Sequence, residues 1–204
     1  MRAACLPVFL VAGLAQPALC QVAAPRPSLE DFLGPLDVWS PELSPSGDHL
    51  AVLRTDKGND YIVTMNLAAA GESAKPITVG DYYVNWLEWA NDDTVLVATT
   101  GYIDLNTGRP LSRKDIDEET PFFRRSNPYA YRRLISIQVA TQKMAVMFGD
   151  DWRLNRNFHL GTVTDFLPSQ PDHILMAARL DGDLDLFKVN VRDGSFERIA
   201  IGTS

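Results

Sequence analysis

The sequence predicts an all-β chain built from three copies of one antiparallel unit. The central copy is Val84–Thr99, in which an apolar strand, a polar turn at Ala90–Asp93 and a β-branched second strand indicate a hairpin. Similar segments of turn followed by strand occur upstream in Pro41–Arg54 and downstream in Val163–Arg179. Because one supersecondary unit recurs three times, a repeat architecture is expected.

Composition and charge limit the classes of partner. The chain has 204 residues, of which 46% are hydrophobic, which is enough to build a core of ordinary domain size. Its formal net charge of −7 argues against nucleic acid, because a phosphate-binding surface needs a net basic face. The expected partner is a peptide substrate or another protein, and no cofactor is expected.

The first 24 residues are typical of a cleavable signal peptide. Arg2 provides a positive charge, and the apolar run Ala3–Ala15 is shorter than the roughly 20 residues that span a bilayer. Both cysteines, Cys5 and Cys20, lie in this leader, so no disulfide is expected in the mature chain. Periplasmic or secreted localisation is expected, with no membrane contact after cleavage; a lipidated Cys20 is the alternative. Residues 25–35 are interpreted as a linker.

The first unit, residues 36–80, is expected to contain four strands, a to d. Strand b, Leu50–Leu53, is apolar on both faces, which predicts a strand buried between two layers. Strands c and d are placed at Tyr61–Leu67 and Pro76–Val79. The third unit, residues 151–204, repeats this order, with strands b, c and d at Ile174–Ala178, Phe187–Val191 and Arg198–Ile201.

The second unit, residues 81–150, differs by an insertion. Its strand b begins at Val95 and its strand c is Leu134–Val139, so about 27 extra residues fall within residues 101–133. Without them the repeat period is about 45 to 52 residues, as expected for four-stranded blades of a β-propeller. The prediction is a partial β-propeller of about three four-stranded antiparallel blades. Insertions in repeat proteins often lie on the binding face.

One blade motif resembles a known family. The segment Leu43–Ala51, read LSPSGDHLA, resembles the propeller blades of exported bacterial serine peptidases of the prolyl oligopeptidase family, and also TolB-like blades. The resemblance extends over residues 35–204, including the order of leader, blades, insertion and the segment Arg133–Lys143. It implies an N-terminal propeller that gates peptide access to a C-terminal α/β-hydrolase domain. The expectation is therefore a fragment that ends before that domain.

The chain contains no G-x-S-x-G nucleophile elbow, so no catalytic residue is predicted and the chain is expected to be inactive alone. Three blades would also leave strand edges open, which invites self-association. The alternative function is a non-catalytic TolB-like propeller that acts as a periplasmic protein-interaction module. Peptide specificity, total blade number and oligomeric state do not follow from the sequence.

The resemblance also suggests one substrate-binding pair. Dipeptidyl peptidases of this family use paired glutamates from a propeller insertion to bind the free α-amine of the substrate, and Glu118 and Glu119 lie in the insertion of this chain. The chemistry is a charge-assisted hydrogen bond in a partly desolvated cavity. A solvated acidic loop is the competing interpretation.

Other chemistry-bearing residues have simpler interpretations. His49 and His173 occupy the same repeat position, so the repeat explains them, and no metal site is predicted. The segment Asp181–Asp185 is shorter than a twelve-residue calcium loop and is interpreted as a hairpin turn. Trp86 and Trp89 are expected to pack between blades.

Overall fold

The computed structural model describes residues 38–69 and 76–202 of the chain. Within these residues the chain forms three β-sheets that follow one another along the sequence. The predicted signal peptide, both cysteines and the linker lie outside the described residues. No helix in the described part of the chain has the length and hydrophobicity that crossing a membrane requires.

The first sheet has four antiparallel strands in sequence order, as predicted. The strands are β1 (Val38–Leu43), β2 (His49–Asp56), β3 (Asn59–Asn66) and β4 (Pro76–Thr78). The turn between β1 and β2 contains Gly47 at φ +80°, a left-handed conformation that glycine adopts without steric cost. The chain therefore reverses direction at the Pro-Ser-Gly segment of the blade motif.

The second sheet has six strands, so the prediction of four strands was wrong for this unit. They are β5 (Tyr83–Asn91), β6 (Thr94–Asp104), β7 (Pro110–Leu111), β8 (Pro128–Gln138), β9 (Met144–Val146) and β10 (His159–Leu160). The insertion lengthens the central hairpin, because β6 and β8 remain paired as far as Asp104 and Pro128. Beyond β7 it forms a five-residue helix, α1 (Arg113–Asp117). The short β10 is parallel to β8.

The third sheet has three strands, again not the predicted four. They are β11 (His173–Leu180), β12 (Asp183–Asn190) and β13 (Phe196–Ala200). The expected first strand is reduced to one bridge between Asp165 and Leu175. Immediately after this bridge, the Asp165 carboxylate accepts a hydrogen bond of 2.7 Å from the amide of Leu167, whose φ is +47°. This Asx turn bends the backbone away and ends the pairing.

Two apolar layers separate the three sheets, and β6 contributes to both. Val95 and Val97 of β6 pack toward the first sheet with residues such as Ile62, whereas Leu96 and Ala98 pack toward the third sheet. This alternation follows from the two-residue period of a strand. The second sheet is therefore buried on both faces, which explains its continuous apolar strands.

Candidate functional site

Carboxylate groups hold the insertion in place by accepting hydrogen bonds from its side chains and backbone. Ser112 and Asp115 form a reciprocal capping box at the start of α1, and the Ser112 hydroxyl donates to the Asp115 carboxylate at 2.6 Å. Hydrogen bonds from Ser112, and then from Thr120, lower the pKa of Asp115. Asp104 at the end of β6 accepts the backbone amide of Asn127 at 2.8 Å, which closes the base of the insertion.

The predicted substrate-binding glutamates lie at the end of α1. Glu118 is the C-cap residue, and Glu119 follows with φ +45°. The Glu119 carboxylate is 4.0 Å from the guanidinium of Arg124, with both side chains about two-thirds exposed. Neither glutamate lines the cavities described below. Their role in binding an α-amine stays a prediction.

A buried ion pair connects the insertion to the first sheet. The Arg113 guanidinium donates to the Asp60 carboxylate at 2.9 Å, and the two side chains are only 12% and 8% exposed. The same guanidinium lies 4.3 Å from the ring centroid of Tyr83, whose hydroxyl donates to Asp117 at 2.5 Å. Burial, and then the contact with Asp117, raises the pKa of Tyr83 to about 12. The insertion is therefore fixed against β3 and β5.

A cavity of about 750 Å³ opens beside the extended hairpin, and we call it the insertion cavity. Its apolar wall consists of Tyr82, Ile103, Pro110, Tyr131, Val146 and Phe158. Arg133 and Arg156 are its two basic lining residues. The volume lies in the range of about 300–1,000 Å³ that is typical of ligand pockets.

A second cavity, of about 430 Å³, adjoins the first, and we call it the side cavity. Arg156 and Phe158 line both cavities, and the side cavity also contains Tyr129, Arg153 and Arg179. The rings of Tyr129 and Phe158 lie 4.6 Å apart. Among the residues that the structure describes, no acidic side chain lines either cavity.

Arg133 organises the segment that contributes lining residues to both cavities. Its guanidinium donates to the side-chain oxygen of Asn155 at 3.1 Å, to the backbone carbonyl of Asn155 at 2.7 Å and to that of Asn157 at 2.9 Å. Burial lowers the pKa of Arg133 from its usual value. A single side chain from β8 thus holds the turn that presents Arg156.

Asn157 connects the same turn to the third sheet. Its side-chain amide donates to the carbonyl of Arg179 at 2.8 Å, and its side-chain oxygen accepts the amide of Arg179 at 2.8 Å. These two hydrogen bonds have the donor and acceptor pattern of a β-bridge to β11, so the turn is held at both ends.

Gly101 allows two tyrosines to approach the backbone of β6. A Cβ atom at this position would lie 2.7 Å from the ring of Tyr131 and 2.8 Å from that of Tyr82. The two rings meet edge to face at 6.3 Å. Burial, and then the neighbouring Tyr82, raises the pKa of Tyr131 to about 12.

Arg156 differs from the neighbouring arginines in its partners. Its guanidinium lies 4.7 Å from the ring centroid of Trp152, and no carboxylate in the described ranges lies within ion-pair distance of it. Arg153 instead pairs with Asp151 at 2.9 Å, and this contact lowers the pKa of Asp151 to about 2. The cavity wall therefore carries a net positive charge on an acidic protein.

The remaining sequence candidates take structural positions. His49 and His173 begin the equivalent strands β2 and β11, and within residues 38–69 and 76–202 no group of three potential metal ligands forms. Asp181 and Gly182 form the β11–β12 turn with φ of +54° and +106°, as the turn interpretation predicted. Trp89 is buried between sheets, where its indole N–H donates to the carbonyl of Glu42 at 2.9 Å.

The cavity residues were not predicted from the sequence. The spacing of the arginines at positions 133, 153 and 156 matches no known binding motif. They come together in the structure because β10 pairs with β8. The alternation of Tyr129, Tyr131 and Arg133 was the available signal, because it places three large polar-tipped side chains on one face of a strand.

Comparison with known proteins establishes no family. Neither a family model nor a curated protein sequence matches the chain. Similar solved structures include an acylaminoacyl peptidase from Pyrococcus horikoshii, with 14% identity and a TM-score of 0.43 over 82% of this chain and 26% of that one. The AtxE2 isopeptidase has 14% identity and a TM-score of 0.27 over 78% of this chain and 33% of that one. TolB from Acinetobacter baumannii has 14% identity and a TM-score of 0.27 over 81% and 43%.

The chain thus spans between 26% and 43% of the length of these proteins. Similarity at this level assigns neither a family nor an activity to the chain.

Proposed function

We propose that this chain is part of a β-propeller that binds peptides and gates their access to the catalytic domain of an exported serine peptidase of the prolyl oligopeptidase family. The observation that carries the propeller is the packing of three successive sheets through two apolar layers, with the second sheet buried on both faces. Radial repetition of small antiparallel sheets has this arrangement. Further blades and the catalytic domain would belong to a longer protein of which these 204 residues form one part.

Contacts between equivalent turns support the repeat arrangement. The Asp92 carboxylate, in the turn after β5, accepts the amide of Ser46 in the first sheet at 2.8 Å. The neighbouring Asn91 side chain donates to the carbonyl of Pro171, before the third sheet, at 2.7 Å. One turn thus bonds to the corresponding turn on each side, as expected when each repeat contacts only its neighbours.

The insertion cavity supports peptide binding. Its volume suits several residues of a peptide, its aromatic and aliphatic wall suits apolar side chains, and the donors of Tyr131 and Arg156 suit carbonyl or carboxylate oxygens. The 204 residues contain no nucleophile elbow, so the proposed role of this part is to select and orient peptides.

A cavity-filling substitution tests the proposal. Val146 lines the insertion cavity, whereas Met144 lies two residues earlier on β9, outside the cavity, and is similarly exposed. We expect V146W to weaken binding of a fluorescein-labelled mixed peptide library, measured by fluorescence anisotropy, because the larger indole occupies part of the cavity. M144W is the matched control and should bind as the unsubstituted chain does. Equal binding by both variants would contradict a role for this cavity.

The glutamate pair is proposed as a separate contact for a free peptide α-amine. Glu118 and Glu119 lie at the C-terminal end of α1, outside the cavity lining. If the proposal holds, Glu118→Ala and Glu119→Ala in the full-length protein raise the Michaelis constant for peptides with a free N-terminus. An unchanged Michaelis constant would show that the pair is a solvated acidic loop.

A second candidate function is a non-catalytic propeller of the TolB-like type that binds a folded partner in the periplasm. Exposed large apolar side chains on the outermost sheets favour it, among them Trp39 and Leu43 in the first sheet and Ile199 in the third. The two functions predict different ligands. Binding of short peptides in the insertion cavity favours the gate, and binding of a folded protein that V146W leaves intact favours the interaction module.

A further inference from the structure

We infer that the insertion cavity recognises the C-terminal carboxylate of a peptide, with Arg156 as the anion-binding residue. This inference rests on the proposed function and specifies which end of the peptide enters the cavity. It follows from three features of the cavity: its charge, the bonded turn that carries Arg156 and the chemistry of the wall beside it.

The charge of the cavity favours an anion. The two adjoining cavities bring together the guanidinium groups of Arg133, Arg153, Arg156 and Arg179, and no acidic side chain among the described residues lines them. The protein as a whole carries a formal charge of −7, so this concentration of positive charge is opposite in sign to the molecule. A cleft lined by one sign of charge concentrates ligands of the opposite sign.

Three of these arginines already have oxygen partners. Arg133 donates to Asn155 and Asn157, Arg153 pairs with Asp151 at 2.9 Å, and Arg179 donates to the carbonyl of Gly182 at 2.9 Å. For Arg156, the structure of residues 38–69 and 76–202 shows only the contact with the Trp152 ring. The N–H donors of this guanidinium have no oxygen partner among the described residues, so they are available to a ligand.

The backbone turn that carries Arg156 is held in place before any ligand binds. The turn that carries it is bonded on one side to the Arg133 guanidinium and on the other side, through Asn157, to β11. An arginine held in this way loses less conformational freedom on binding than one on a mobile loop. A planar guanidinium bonds both oxygens of a carboxylate, which gives the contact its specificity.

The wall beside Arg156 suits the side chain of a terminal apolar residue. Phe158 and Tyr131 contribute aromatic surface, and Val146 and Ile103 contribute aliphatic surface to the same cavity. A peptide that ends in a large hydrophobic residue matches this wall, because it presents one carboxylate next to one apolar side chain. Free phosphate or sulfate would use the arginine but not the apolar wall.

A pair of peptides that differ only at the terminus tests the inference. Fluorescein-labelled Ala-Ala-Ala-Phe is titrated as the free acid and as the C-terminal amide, with anisotropy as the readout. We expect the acid to bind about tenfold more tightly than the amide, the change that loss of a charge-assisted hydrogen bond produces. R156Q should reduce this preference to about unity by weakening the acid alone. Arg125→Gln, an exposed change outside both cavities, is the matched control and should retain the preference.

The outcomes separate the inference from the proposed function. Equal binding of acid and amide by the unsubstituted chain, with both weakened in V146W, would overturn carboxylate recognition and leave peptide binding in place. No binding of either peptide would overturn both. A preference for the free-acid peptide that survives in R156Q would overturn the assignment to Arg156. Displacement of the free-acid peptide by inorganic phosphate at equal concentration would overturn the inference too, because it would show a general anion site with no selection for peptides.

Discussion

Asp60→Ala removes the carboxylate that connects the first sheet to the insertion. This side chain is 8% exposed and accepts the Thr55 hydroxyl at 2.9 Å, the Val84 amide at 3.1 Å and the Arg113 guanidinium at 2.9 Å. Loss of one partner of a buried ion pair costs about 3–5 kcal/mol, because the other charge stays desolvated. We expect the free energy of unfolding to decrease by about 3 kcal/mol in urea denaturation.

A double-mutant cycle isolates the ion pair from the other two contacts. Asp60→Ala, Arg113→Ala and the double variant should give a coupling energy of about 2 kcal/mol. The exposed pair Glu119–Arg124, at 4.0 Å, is the matched control and should couple by less than about 0.5 kcal/mol. A coupling as small for Asp60 and Arg113 would refute the claim that the insertion is anchored through this pair.

Two further predictions concern Trp89 and Tyr131. Trp89→Phe removes the hydrogen bond from the indole N–H to the carbonyl of Glu42, which joins the first two sheets. We expect the free energy of unfolding to decrease by about 1 kcal/mol in urea denaturation. An unchanged urea midpoint would contradict this role. Burial raises the pKa of Tyr131 to about 12, so its contribution to stability is full below about pH 10 and decreases as the pH rises toward 12. The difference in phenolate absorbance between the protein and Tyr131→Phe should therefore appear near pH 12, and a midpoint near 10 would contradict it.

The strands of the first and third sheets could be predicted because their signals are local. Short apolar runs located β2, β3, β11 and β12, although β12 begins at Asp183, four residues before the predicted start at Phe187. The turn at Asp181–Gly182 followed from residues that tolerate a left-handed backbone. The missing first strand of the third sheet was not predictable by the same rule, because one hydrogen bond from Leu167 to Asp165 overrides a strand-like composition.

The insertion and the cavity depended on contacts between distant segments. The sequence indicated only an insertion within residues 101–133, whereas in the structure the pairing of β6 with β8 continues into both ends of it, as far as Asp104 and Pro128. The Ser112–Asp115 capping box was a local signal from which α1 could have been predicted. The grouping of Arg133 with Asn155 and Asn157 depends on tertiary pairing, and no spacing in the sequence encodes it.

Hydrogen exchange measured with and without a bound peptide tests the central claim, peptide binding in the insertion cavity, most directly. We expect slower amide exchange in residues 129–133 and 153–158, which carry the cavity wall, on addition of the free-acid peptide. The equivalent hairpin of the first sheet, residues 54–61, should exchange at an unchanged rate. Protection confined to the outermost strands β1 and β13, with none around the cavity, would contradict peptide binding there and favour a surface that binds folded partners.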